Sequence, residues 1–147
     1  MKIILEINKK AACPVSNKFF SNVVQETIEL SGYRFLKLKN VTVSLAIIGN
    51  SEMKKINKQF RKKDCSTDVL SFPNFKKNDL LKVKEKDLFL GEILISFPYI
   101  KKSAKIRNIE IKEELGYVVS HGVLHCLGFV HGKKMFEIQD KIIVKIK

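Results

Sequence analysis

The sequence has few cysteines and no long apolar run. Cys13, Cys65 and Cys126 are odd in number and far apart, and no CxxC pair occurs. That spacing excludes a zinc ribbon and a redox dithiol, and leaves free thiols, the usual state in a cytosolic protein. Cys126, within an apolar helical stretch, reads as a small packed hydrophobe. No apolar run approaches the roughly 18–20 residues of a membrane span. The opening MKIILEINKK is too short in its apolar part for a secretory signal and lacks a small-residue cleavage site. The expectation is a cytoplasmic protein with no membrane partner. Internal repeats and Pro/Gly/Ser-rich linkers are also missing, so residues 1–147 read as a single domain. At 45% hydrophobic residues the chain can fill a core, which excludes disorder along its whole length.

Arginine is as scarce as lysine is abundant. The 28 basic residues comprise 25 Lys and only Arg34, Arg61 and Arg107; against 15 acidic residues they give a net charge of +13. Most lysines fall in scattered pairs, such as Lys9–Lys10, Lys54–Lys55 and Lys62–Lys63. Lysines neutralise phosphates and release counterions, which fits a nucleic-acid partner. A solvated lysine surface fits equally well, and charge alone does not choose.

Periodicity organises the chain. Residues 2–7 read as a strand. Ser16 can cap a helix to about Leu30, with Phe20, Val23, Val24, Thr27 and Ile28 on one face and Gly32 as terminator. Val41–Ile48 is β-branched and reads as a central strand. Ser51 can cap a short helix through Phe60, with Met53, Ile56 and Phe60 inward. Residues 61–67 read as polar loop, Val69–Phe72 as a short strand closed by Pro73, and Asn74–Asp87 as a mobile loop. Leu88–Ser96 is a further strand, Pro98 suits the first turn of the next helix, and Asn108 can cap a longer helix to Leu127. A last helix starts near Lys133 with Met135, Ile138, Ile142 and Ile146 inward. The fold class is α+β: a mixed sheet of about four strands packed against helices.

Histidine occurs three times, as His121, His125 and His131, all within eleven residues. His121 and His125 stand i, i+4, on one helix face. Gly128 falls where that helix should stop, and a glycine there can reverse the chain and return His131 to the other two. Three imidazoles at the C-terminal end of a long helix can hold one divalent metal, most naturally one Zn2+ per chain, with a fourth position open for water. Such an ion lowers the pKa of water and polarises a substrate oxygen. The plainer alternative is a packed histidine pair and a stray loop histidine. The spacing also matches the HExxHxxGxxH of metzincin peptidases, but Gly122 stands where a peptidase keeps its glutamate base.

The segment His121-Gly122-Val123-Leu124-His125-Cys126-Leu127-Gly128-Phe129-Val130-His131 resembles the HGxLHLxGYDH signature of the YbeY family of bacterial metallo-endoribonucleases. Asn57-Lys58-Gln59-Phe60-Arg61, followed by Ser66-Thr67-Asp68-Val69-Leu70-Ser71-Phe72-Pro73, is similar to that family's N-x-x-[YF]-R and P-T-D-V-L-S-F-P block. Leu90-Gly91-Glu92-Ile93-Leu94-Ile95-Ser96 is similar to its L-G-D-I-x-I-S strand. The three segments span residues 57–131 in the family's order.

The resemblance implies a single-strand-specific, zinc-dependent endoribonuclease acting in 16S rRNA 3′-end maturation and ribosome quality control, with ribosomal RNA and small-subunit proteins as partners and no DNA. It carries His121, His125 and His131 over as metal ligands and Arg61 as a catalytic residue, a phosphate contact or a stabiliser of transition-state charge. The planar fork of arginine suits that role. Lys62 and Lys63, with Lys58, would hold the flanking backbone. Thr67–Phe72 reads as one wall of the cleft. Four positions depart from the family pattern: Ser66 for Pro, Glu92 for Asp, Phe129 for Tyr and Val130 for Asp. Val130 removes a carboxylate beside the third ligand and leaves the general base unassigned. Glu92 keeps a carboxylate on the strand edging the site and is the candidate for proton transfer. Two readings compete with this one: a zinc hydrolase acting on another substrate, and a ribosome-associated RNA-binding module that does not cut.

Overall fold

The β-branched and apolar stretches pair into one sheet, and the amphipathic stretches cover it on both sides. The computed structural model describes residues 1–146. In chain order the elements are β1 (Lys2–Lys9), α1 (Asn17–Leu30), a 3-10 turn (Arg34–Leu38), β2 (Asn40–Ile48), α2 (Asn50–Arg61), β3 (Val69–Pro73), α3 (Lys77–Leu80), β4 (Asp87–Ser96), α4 (Phe97–Arg107), α5 (Ile111–Cys126) and α6 (Lys133–Ile146). The strand order is β1-β2-β4-β3. β1, β2 and β4 are parallel, and β3 lies antiparallel on the outer edge of β4. This is the α+β, four-stranded mixed-sheet architecture expected from the sequence, built as a single domain.

Alternation along the strands sorts two cores. Val43, Leu45 and Ile47 of β2 and Ile93 and Ile95 of β4 pack with Phe20 and Ile28 of α1, Leu115, Val119 and Val123 of α5, and the Met135–Ile138–Ile142 stripe of α6. On the other face Ala46, Ile48, Leu70 and Leu94 meet Met53 of α2. Each aliphatic side chain removed from water contributes about 1.5–3 kcal/mol, so the larger core fixes α5 on the sheet. Two glycines let it come close. A Cβ on Gly91 would stand 2.7 Å from the Phe72 carbonyl oxygen and 2.8 Å from Cys126 Sγ, and one on Gly122 would stand 2.9 Å from the Ile93 side chain. Gly91 also follows a register shift, where β2–β4 pairing steps from Thr42–Phe89 to Val43–Gly91, as a β-bulge does.

Local signals set most boundaries. The Ser16 hydroxyl accepts from the Phe19 N–H at 3.2 Å and caps α1. Pro98 sits in the first turn of α4. Four expectations need correction. Gly49, not Ser51, is the N-cap of α2, and no side chain bonds there. Phe60 faces outward, 55% exposed, with its ring edge against Phe72 at 5.3 Å, because Met53 and Asn57 fill the inward face. Residues 74–87 hold the short α3, whose Leu80 is fully buried and anchors the segment to the core. Asn108 ends α4 in a left-handed conformation (φ 54), which asparagine tolerates, and Glu110 precedes α5 instead. Among the described residues, no helix is long and apolar enough to cross a membrane.

Candidate metal centre

The end of α5 is shaped by its own sequence. Gly128 takes φ 88; its N–H bonds the His125 carbonyl at 3.0 Å, and the Phe129 N–H bonds the Leu124 carbonyl at 2.9 Å. Those two bonds are a Schellman stop. Tyr33 secures the turn from outside: its hydroxyl donates to the Leu127 carbonyl at 2.7 Å, and its ring stacks on Phe129 at 5.7 Å. The reversed chain brings His131 beside α5. His125 Nε2 lies 2.9 Å from His121 Nε2 and 3.0 Å from His131 Nε2.

Hydrogen bonding fixes how His125 presents itself. Its Nδ1 lies 3.1 Å from the Phe129 carbonyl oxygen, which only accepts. The Nδ1 of a neutral His125 therefore carries the proton, and Nε2 turns a bare lone pair toward the other two rings. Burial holds His121 down to a pKa of about 4, and His125 and His131 push the same way. Burial also lowers His125; the Phe129 carbonyl opposes this, while His131 and Arg61 add to it. Burial thus favours the neutral imidazole at His121 and His125, the form that ligates metal.

The donor set fits a divalent ion. The three ligand nitrogens lie within 4.8 Å of one another, and a tetrahedral zinc with bonds of 2.0–2.1 Å separates its nitrogens by about 3.3 Å. Behind them, Gln139 of α6 is fully buried. Its Nε2 lies 3.1 Å from the Tyr117 carbonyl, to which it donates, and 3.4 Å from His121 Nδ1. Its Oε1 is buried without a partner among the described residues.

The facing wall comes from α2, β3 and the loop between them. A cleft of about 410 Å3 is lined by the three histidines together with Asn57, Arg61, Lys63, Thr67, Val69, Leu70 and Ser71. Arg61 ends α2, and its Nη2 donates to the Ser71 carbonyl at 2.9 Å, so the guanidinium is tied to the cleft wall. The Asn57 Nδ2 donates to the Cys65 carbonyl at 2.8 Å and holds the loop in place. A second groove of about 520 Å3, lined by Phe75, Lys76, Lys77 and Val130, shares His125 with the first.

The structure thus brings His121, His125, His131, Arg61 and Lys63 together. It does not bring Glu92 or Lys62. Glu92 pairs with Ser44 and Phe72 and is exposed. Its neighbours Ile93 and Ile95 take the α5 side, and strand alternation turns Glu92 to the opposite face. The expected carboxylate is therefore absent from the centre. Lys62 caps α2 in a left-handed conformation and does not line the cleft. Lys58 pairs with Asp64 at 3.8 Å. Val130 is 79% exposed, and among the described residues no carboxylate lines the cleft. A glutamate at position 122, where the peptidase base belongs, would run into Ile93.

Two residues at the site carry no role in the sequence reading: Asn57, which opens the N-x-x-[YF]-R segment, and Gln139. Asn57 stands four residues before Arg61, on the same helix face. Gln139 is the one polar residue in the buried stripe Met135, Ile138, Gln139, Ile142, a break in pattern that periodicity exposes.

Known proteins share both the chain and its frame. The family model Endoribonuclease YbeY matches residues 6–147. Endoribonuclease YbeY of Sulfurihydrogenibium sp. (strain YO3AOP1) is 34% identical over 147 residues, covering 95% of this chain and 90% of its own. That of Malacoplasma penetrans (strain HF-2) is 45% identical over 113 residues, covering 73% and 72%. The solution structure of TM1509 from Thermotoga maritima superimposes with a TM-score of 0.65 at 28% identity, covering 97% of this chain and 89% of that one. The match extends well beyond the histidine segment, through the sheet that carries the cleft wall and into the helices that back the centre, so the chain belongs to the Endoribonuclease YbeY family.

Proposed function

We propose that residues 1–147 form one metal-dependent endoribonuclease domain that cuts single-stranded RNA, with zinc as the ion. The observation that carries this reading is the convergence of three Nε2 atoms opposite an arginine tied to the facing wall. A divalent ion held by His121, His125 and His131 would supply Lewis acidity to a phosphate oxygen and to water.

The chain's own groups do the rest. The Arg61 fork binds a phosphate and offsets charge developing on it during hydrolysis. Lys63 draws the backbone of the strand into the cleft, and the Lys76–Lys77 groove continues its path past His125. With no carboxylate of the described residues lining the cleft, water is the proton acceptor, and neither Glu92 nor Val130 takes part. Family membership supports the cellular role, which we place in late 16S rRNA 3′-end maturation and ribosome quality control, in the cytoplasm and in contact with ribosomal proteins.

The test is cleavage of single-stranded RNA by His121→Ala and Arg61→Ala variants. Both should lose cleavage and keep the native circular dichroism spectrum. Full activity in either variant contradicts the assignment. Wild-type protein that binds RNA with added zinc and never cuts it would make the chain a binding module.

A further inference from the structure

Gln139 sits on an otherwise apolar stripe, fully buried, with Met135, Ile138 and Ile142 around it on α6. A buried amide costs stability unless its ends are bonded, and here one end is not: Oε1 has no partner among the described residues. The other end faces a candidate metal ligand, with Nε2 3.4 Å from His121 Nδ1. That contact suits a His121 whose Nδ1 is bare and whose Nε2 carries the proton. Ligation through Nε2 reverses the tautomer: Nδ1 then holds the proton and needs an acceptor. Rotating the terminal amide of Gln139 exchanges Nε2 for the orphaned Oε1 opposite that proton. The rotation moves the unpaired end from Oε1 to Nε2 and takes the amide from the Tyr117 carbonyl, which keeps the Ser120 hydroxyl at 2.9 Å; the bond accepted from the His121 Nδ1–H offsets that loss.

We infer that Gln139 is a positioning residue of the metal centre, its side-chain oxygen accepting the His121 Nδ1–H when His121 ligates through Nε2. The inference rests on the metal centre proposed above. Gln139 acts through His121 alone and touches neither substrate nor ion. His125 has the corresponding acceptor already, in the Phe129 carbonyl.

The experiment measures zinc affinity of the full chain by competition with a chelating indicator, for wild type, Gln139→Leu and Gln139→Glu. The zinc-loaded His121 ring is followed by nitrogen-15 NMR. Leucine fills the space without an acceptor and should weaken zinc binding about 10–100-fold. Glutamate restores an acceptor and should bind zinc at least as tightly as wild type, with the Nδ1–H resonance present in wild type and Gln139→Glu. Should the leucine variant fail to fold, the glutamate variant decides by the same two readings. Leucine binding zinc as wild type does, or glutamate weakening it as leucine does, overturns the role of Gln139 and leaves the metal centre standing. Wild-type protein without zinc affinity overturns both.

Discussion

The residue that reports most on this centre is His121. Burial is the main force keeping it unprotonated, with a pKa of about 4 against an ordinary 6.5, and the two neighbouring imidazoles add to it. Because the folded value lies below the unfolded one, the unfolded chain binds more protons between the two. The stability linked to His121 is therefore complete above about pH 6.5 and is lost as pH falls toward 4. In metal-free protein the His121 ring resonances should titrate with a midpoint near pH 4, and denaturant midpoints should fall across that window. A His121 midpoint at or above 6.5 contradicts the burial argument. Glu92 teaches the opposite lesson. Its residue type and its strand made it a plausible acid or base, and only its place in the alternation, beside Ile93, disqualifies it.

At the scale of elements, the stop of α5 decides whether three histidines become one site. Gly128 holds φ 88, and a Cβ there would stand 2.7 Å from the Lys77 Cβ. Gly128→Ala should cost about 1–3 kcal/mol from left-handed strain, read as a lower urea midpoint, and should weaken zinc binding by displacing His131. Gly132→Ala is the control, since a Cβ there meets nothing nearer than 3.9 Å and should change stability by less than about 0.5 kcal/mol. Equal effects of the two substitutions would show that the turn does not set the site. The turn was legible in the sequence because glycine at that spacing has a local cause. So were β2 and the Ser16 cap. The short α3 was not, because one buried side chain, Leu80, anchors it, and four residues show no period. Asn108 misled for a related reason: the same side chain suits a helix start and a left-handed helix end, and the following residues decide between them. Gln139 stands out as a polar break in the α6 stripe, but its partner His121, 18 residues away, does not follow from that break.

For the whole molecule, a charge of +13 and a cleft lined by one arginine, one lysine and three histidines divide the work. The scattered lysines, some of them spent on Asp64, supply sequence-independent attraction to RNA; the cleft holds the groups that meet the phosphate. The Michaelis constant for RNA should rise with ionic strength while zinc affinity stays unchanged, because counterion release governs the first and short-range ligation the second. RNA binding indifferent to salt would return the lysines to a compositional accident. The two roles are separable in one molecule, and the smaller of them is the more consequential. The most direct measurement strips the purified chain of metal and adds zinc back in steps while following cleavage of single-stranded RNA. Cleavage that vanishes on chelation and returns fully at one zinc per chain is the result expected from a single three-histidine centre. Cleavage that survives chelation, or a wild-type chain that takes up one zinc and still does not cut, contradicts it.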